Sequence, residues 1–126
     1  MEILIDTNFI LTCVKQKIHF ENLADELFDK EILWIVPQQV LNELGNLKDR
    51  VGIKTQDREA ALLSFDILKS LNPKIVELGG NPNVDIGIVN FIKNKKIILA
   101  TLDRGLKNRI ENKILTIRGK KSIELI

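Results

Sequence analysis

The sequence predicts an α/β fold organised on a mainly parallel central sheet. Short, largely apolar runs recur along the chain, at 2–5, 32–36 (ILWIV), 74–78 (KIVEL), 95–101 (KKIILAT) and 114–117 (ILTI). Runs of this kind fit strands buried on both faces. Between them lie longer segments whose apolar residues return every three or four positions, as on a helix with one buried face. Strand and helix signals alternate throughout, and right-handed crossovers then place helices on both faces of one sheet.

Taken in order, Ile3, Leu4 and Ile5 form the first strand, and the DTN after it supplies a turn with Thr7 or Asn8 as helix N-cap. Phe9, Ile10, Cys13 and Val14 follow at helical spacing. Phe20 to Lys30 reads as an amphipathic helix with Leu23, Leu27 and Phe28 on its stripe. ILWIV ends at Pro37, which suits the first turn of a helix whose buried face is Val40, Leu41, Leu44 and Leu47. Gly45 to Thr55 is polar and basic, and is expected to be a loop or a frayed helix end. Arg58 to Leu71 makes a long helix, stopped by Asn72-Pro73. After KIVEL, a loop over 79–83 leads to Asn83 as cap of a helix carrying Val84, Ile88, Val89 and Ile92. KKIILAT gives the fourth strand, and Asp103 begins or caps a helix with Leu106 and Ile110 inward. ILTI is the fifth strand, and SIELI at 122–126 adds or covers an edge.

Each of the first four strands is thus followed by an acid: Asp6, Glu43, Asp85 and Asp103. Open α/β sheets bind ligands beyond the carboxyl ends of their strands, where all four would meet. Each acid has an ordinary explanation in helix capping or dipole complementarity. Their coincidence at one end of the sheet outweighs those separate explanations. Carboxylates brought together repel, and burying one unpaired is costly, so a fold that converges them does so around a cation. Oxygen donors without a His or Cys cluster suit Mg²⁺ or Mn²⁺, ions that keep several waters and take phosphate oxygens as further ligands. The expected chemistry is at phosphate.

With 126 residues and 44% hydrophobic content, the chain is expected to fold as one domain over 1–126. The single Cys13 cannot form an internal disulfide, and no Cys/His spacing provides a structural zinc site. Glu2 and Asp6 do not fit a secretory signal, and no apolar run approaches bilayer length, so a cytoplasmic protein without a membrane partner is expected. A net charge of +2 permits nucleic acid as partner without arguing for it. Lys48, Arg50, Lys54 and Arg58 cluster in the middle; Arg104, Lys107, Arg109, Lys113, Arg118, Lys120 and Lys121 crowd the last quarter. Solvated helix faces are the ordinary reading of both groups.

Four stretches, ILIDTNFIL, VLNEL, NPNVDIGIVNFI and ILATLDRGLKNRI, together resemble the PIN domains over essentially the whole chain. The resemblance implies a three-layer α/β/α sandwich and a metal-dependent endoribonuclease whose products carry a 5′-phosphate and a 3′-hydroxyl; a single strand is the expected substrate because metal-assisted attack needs an exposed backbone. It carries the family's acidic quartet onto Asp6, Glu43, Asp85 and Asp103, as both catalytic residues and metal ligands. Asn8 and Thr101 match the polar residues that accompany the first and last acids. Arg104, Lys107, Lys48 and Arg50 are candidate phosphate contacts, Arg104 first among them. Some members carry a further acid after the one matching Asp103; here those positions are Arg104, Gly105 and Leu106, which leaves fewer ligands for a second ion.

Small stand-alone members include ribosomal-RNA processing nucleases and VapC-type toxins held by an antitoxin. The basic segment IRGKKSIELI and the DTNFIL opening look more like the processing group, with a ribosome-assembly partner. A non-catalytic RNA-binding module is the remaining alternative, and a homodimer fits the family. A haloacid-dehalogenase phosphatase would need a second Asp where Asn8 stands, and a receiver domain would need a phosphoacceptor Asp after its third strand. His19 reads as a surface or cap residue, Trp34 and Cys13 as core, and Gly79-Gly80 as a turn, since no P-loop Lys-Ser/Thr follows.

Overall fold

The computed structural model of the chain describes residues 1–80 and 82–126. Six strands form one sheet: β1 (Glu2–Ile5), β2 (Leu33–Pro37), β3 (Lys74–Val76), β4 (Ile97–Ala100), β5 (Ile114–Arg118) and β6 (Ser122–Leu125). Their order is β3-β2-β1-β4-β5-β6. The first five are mutually parallel, and only β6 runs antiparallel, folding back on β5. The helices are α1 (Thr7–Lys15), α2 (Phe20–Leu27), α3 (Gln38–Asp49), α4 (Thr55–Ser70) and α5 (Val84–Ile92), with a 3-10 helix at Arg104–Asn108.

The central strands are buried on both faces, as their unbroken apolar runs require. Ile3, Ile5, Trp34, Val36, Ile98 and Ala100 belong to one core with residues of α1, α2, α3 and α4. Their neighbours in sequence, Leu4, Ile35, Ile97 and Leu99, belong to a second core with Ile88, Ile92 and Leu106. Successive side chains on a strand point to opposite faces, so this parity makes a three-layer α/β/α sandwich. In the first core Phe20 meets Phe9 and Trp34 edge-on, with ring centroids 5.6 and 5.4 Å apart, a favoured aromatic geometry. Cys13 is fully buried there. No helix among the described residues is long and apolar enough to cross a membrane.

Several local expectations change. Asp6, not Thr7 or Asn8, caps α1, because β1 ends at Ile5 and leaves Asp6 extended with its carboxylate over the first turn. Pro37 is the last residue of β2 and caps α3 from outside the helix. Of the stretch from Gly45 to Thr55 expected as a loop or a frayed helix end, only 50–54 lies outside the helices: α3 continues to Asp49 and packs extensively on α4, which begins at Thr55. KIVEL is a strand only to Val76, which pairs with Pro37 at the end of β2; beyond it β2 turns into α3 and offers no further ladder. The loop over 79–83 is described apart from Asn81, which lies outside the described residues. Residues 119–121 of the basic segment form the turn of the β5–β6 hairpin, with Gly119 at a left-handed φ of 63°, where a side chain would be strained.

Candidate active site

The strand order reverses between β1 and β4, which places the crevice at the carboxyl ends of these neighbours. Ile5 registers with Ala100, so the next residues, Asp6 and Thr101, leave the sheet side by side. The Asp6 amide donates to Ala100 O at 3.0 Å. Both carboxylate oxygens of Asp6 are engaged: Oδ1 accepts the Thr7 amide at 2.8 Å and Oδ2 accepts the Thr101 hydroxyl at 3.0 Å. The Thr101 oxygen in turn accepts the Asp103 amide at 3.1 Å. One buried threonine therefore ties the first acid to the backbone of the last. Asp103 Oδ1 accepts the Gly105 amide at 2.9 Å and caps the 3-10 helix, leaving its side chain at the surface of the crevice.

The charges of the other acids reach Asp6. Burial raises its pKa most, the Thr101 and Thr7 hydrogen bonds pull it partly back, and the charges of Asp85 and Asp103 raise it further. Glu43, half-buried on the second turn of α3, is likewise raised, first by burial and then by the charges of Asp6 and Asp85. Four carboxylates from β1, α3, α5 and the β4 end thus share one electrostatic neighbourhood. Asp85 stands in the first turn of α5, whose start Asn83 caps by accepting the Ile86 amide at 3.2 Å. A Cβ on Gly87 would meet Leu78 Cβ at 3.0 Å, so the close seating of this helix favours glycine.

Among the described residues, no three His, Cys, Asp or Glu side chains close to the spacing of a ready-made metal cage. The all-oxygen donor set nonetheless suits a hard cation. Mg²⁺ takes only one or two carboxylates directly and retains waters. The Thr7 hydroxyl adds a second sign of fit. It is buried beside Asp6 without a completed hydrogen bond, though near enough to Glu43 to draw that pKa partly down. An unpartnered hydroxyl there provides a polar wall for a hydrated ion.

Of the other expected residues, Thr101 is 1% exposed and central to the hydrogen-bond chain. Asn8 is exposed on the first turn of α1. Arg104 and Lys107 are exposed on the 3-10 helix directly after Asp103. Lys48 and Arg50 lie at the far end of α3, with Lys48 Nζ 5.7 Å from the Phe65 ring centroid and the Arg50 carbonyl accepting from Arg58 at 3.0 Å. Those two serve the α3–α4 contact. Thr7, read from sequence only as a cap, belongs to the site; its position directly after a strand-end Asp was the available signal.

A PIN-like domain profile matches residues 3–120. Ribonuclease VapC4 of Methanocaldococcus jannaschii is 30% identical over 124 residues, covering 95% of this chain and 92% of that protein. Among solved structures, the PIN domain endonuclease Utp24 superposes with a TM-score of 0.78 at 25% identity, over 98% of this chain and 90% of that one. VapBC2 from Rickettsia felis, bound to a DNA fragment from its promoter, gives 0.65 at 15% identity, over 94% of this chain and 100% of that one. A domain of a functionally unknown protein from Methanocaldococcus jannaschii gives 0.60 at 18%, over 99% and 97%.

Proposed function

The chain belongs to the PIN-like domain family, and from that membership we propose that it is a divalent-metal-dependent endoribonuclease that hydrolyses phosphodiester bonds of single-stranded RNA. The observation that carries this reading is the Thr101 bridge from Asp6 to Asp103, inside the shared field of Glu43 and Asp85. Its likeness to a ribonuclease along nearly its whole length supports the same activity.

Asp6, Glu43, Asp85 and Asp103 would hold Mg²⁺ or Mn²⁺, with Asp6 fixed in orientation by two hydrogen bonds. When bound, the cation supplies Lewis-acid charge that acidifies water and offsets charge on the phosphate. The Thr101 hydrogen bond favours the ionised form of Asp6, opposing the burial that raises its pKa. Arg104 and Lys107 draw the RNA strand in by its phosphates, which adds affinity without sequence information. A single strand suits the site because its backbone is exposed. The test is cleavage of single-stranded RNA that requires Mg²⁺ or Mn²⁺ and is abolished in a folded Asp6→Asn variant. RNA binding without cleavage under either metal would instead support a non-catalytic module.

Two cellular roles share this chemistry. A role in ribosomal-RNA processing is the one the DTNFIL opening and the basic segment IRGKKSIELI favour. The relative named Ribonuclease VapC4 favours a toxin whose partner is an antitoxin. Growth arrest on expression, relieved by Asp6→Asn, supports the toxin role; growth without arrest, with immature ribosomal RNA in a deletion strain, supports processing.

A further inference from the structure

Beside Asp103 the surface opens into a recess of about 170 Å³ between the 3-10 helix and the outer face of β5 and β6. Arg104 and Lys107 stand on one side, Thr116 and Glu124 on the other, with Ile114 and Ile126 also lining it. Thr116 and Glu124 are direct cross-strand partners, as are Ile114 and Ile126 through their backbone bonds. Paired residues share a face of the sheet, so one hydroxyl and one carboxylate are presented together over an apolar step.

Glu124 makes no ion pair with either cation of the recess; among the described residues the only ion pairs are Lys15–Asp57 and Lys48–Asp49. A carboxylate and two cations that line one recess without collapsing onto each other leave room for a ligand bearing both signs of complement. We infer that this recess binds a nucleobase flanking the scissile phosphate, and that Thr116 and Glu124 read guanine.

A carboxylate only accepts hydrogen bonds, so it selects a base edge carrying two adjacent donors. Guanine offers N1–H and N2–H₂ side by side, with O6 next to them for the Thr116 hydroxyl to donate to. Adenine, cytosine and uracil each interrupt that pattern with an acceptor or offer a single donor group. Ile126, exposed at the edge of the recess, takes the face of the base, which answers the lack of tyrosine and the 5% aromatic content of the chain. Arg104 and Lys107 hold the attached phosphate.

The position of the base relative to a cut rests on the ribonuclease reading above, but base binding does not, and two measurements separate them. Binding of the four nucleoside 5′-monophosphates is followed by amide chemical shifts on the intact chain. GMP should bind about tenfold more tightly than the other three, and Glu124→Gln should erase that preference. Thr116→Val should weaken it, as a second variant that leaves the carboxylate in place. Equal binding of all four, or a GMP preference unchanged in Glu124→Gln, overturns the inference. In the second measurement, cuts on an RNA containing all four bases should fall next to guanine about tenfold more often than beside other bases, and lose that bias in Glu124→Gln. Cuts without a guanine bias overturn the placement beside the scissile bond. No cleavage by the wild type, with GMP still preferred, sinks the nuclease reading and leaves the guanine site standing.

Discussion

Thr101 donates its hydroxyl to Asp6 Oδ2 at 3.0 Å, a bond between residues 95 apart in sequence that exists only because β1 and β4 lie side by side. Its oxygen also takes the Asp103 amide, so a single side chain sets the spacing of two of the four acids.

Thr101→Val keeps shape and removes the hydroxyl, leaving Asp6 Oδ2 and the Asp103 amide without their partner. Denaturant unfolding should show a loss of about 1–3 kcal/mol, the usual result of orphaning a buried polar group. RNA cleavage should fall as well. Thr101→Ser, which retains the donor, should recover most of both.

Asp6 and Glu43 both have raised pKa values in the folded chain, chiefly from burial. A raised folded pKa means that protonation stabilises the fold. That contribution is complete below the unfolded values, about 3.9 for Asp and 4.3 for Glu, and is lost as pH rises through the folded values. In EDTA, wild-type Tm relative to Asp6→Asn should therefore decline as pH rises through that window. At neutral pH, added Mg²⁺ should raise the wild-type Tm with concentration and affect Asp6→Asn much less.

Lys15 Nζ bonds Asp57 at 2.6 Å, joining the last turn of α1 to the first turn of α4. The Lys15 hydrogen bond holds the Asp57 carboxyl below its ordinary value. The sign is opposite to that of Asp6: stability from this pair is present above about pH 3.9 and lost as pH falls through the folded value. Asp57→Asn should be slightly less stable than wild type at neutral pH and low salt. The gap should shrink in high salt and in acid, as thermal melts would record.

Burial and the nearby Glu21 charge push the Cys13 thiol up to about 12. Its side chain is fully enclosed in the first core. Iodoacetamide at mildly alkaline pH should leave the native chain unmodified by mass spectrometry and label it once in denaturant.

Much of this architecture was legible in the residues themselves. Unbroken apolar runs such as Ile3–Ile5 and Ile97–Ala100, too short for buried helices, read as strands covered on both sides, and the acids after them fall at the carboxyl ends where such sheets bind ligands. What was hidden depended on packing. The stretch from Gly45 to Asp49 stayed helical because α3 lies packed along α4 there. Asp6 displaced Thr7 as cap because α1 begins at Thr7, with Asp6 alone between strand and helix and no turn. The helix expected after Asp103 shortened to a 3-10 turn over a stretch containing Gly105 and Asn108, weak helix formers both. Thr116 and Glu124 could not be associated without the antiparallel register of β5 and β6.

The proposed activity requires Asp6, Glu43, Asp85 and Asp103 to hold a divalent ion in the crevice at the β1–β4 switch. Anomalous scattering from crystals soaked in Mn²⁺ tests it directly. A manganese peak coordinated by Asp6 together with at least one of the other three carboxylates, and absent from Asp6→Asn crystals, is the expected result. Well-ordered crystals with no peak there, or with manganese held only elsewhere on the surface, would contradict it.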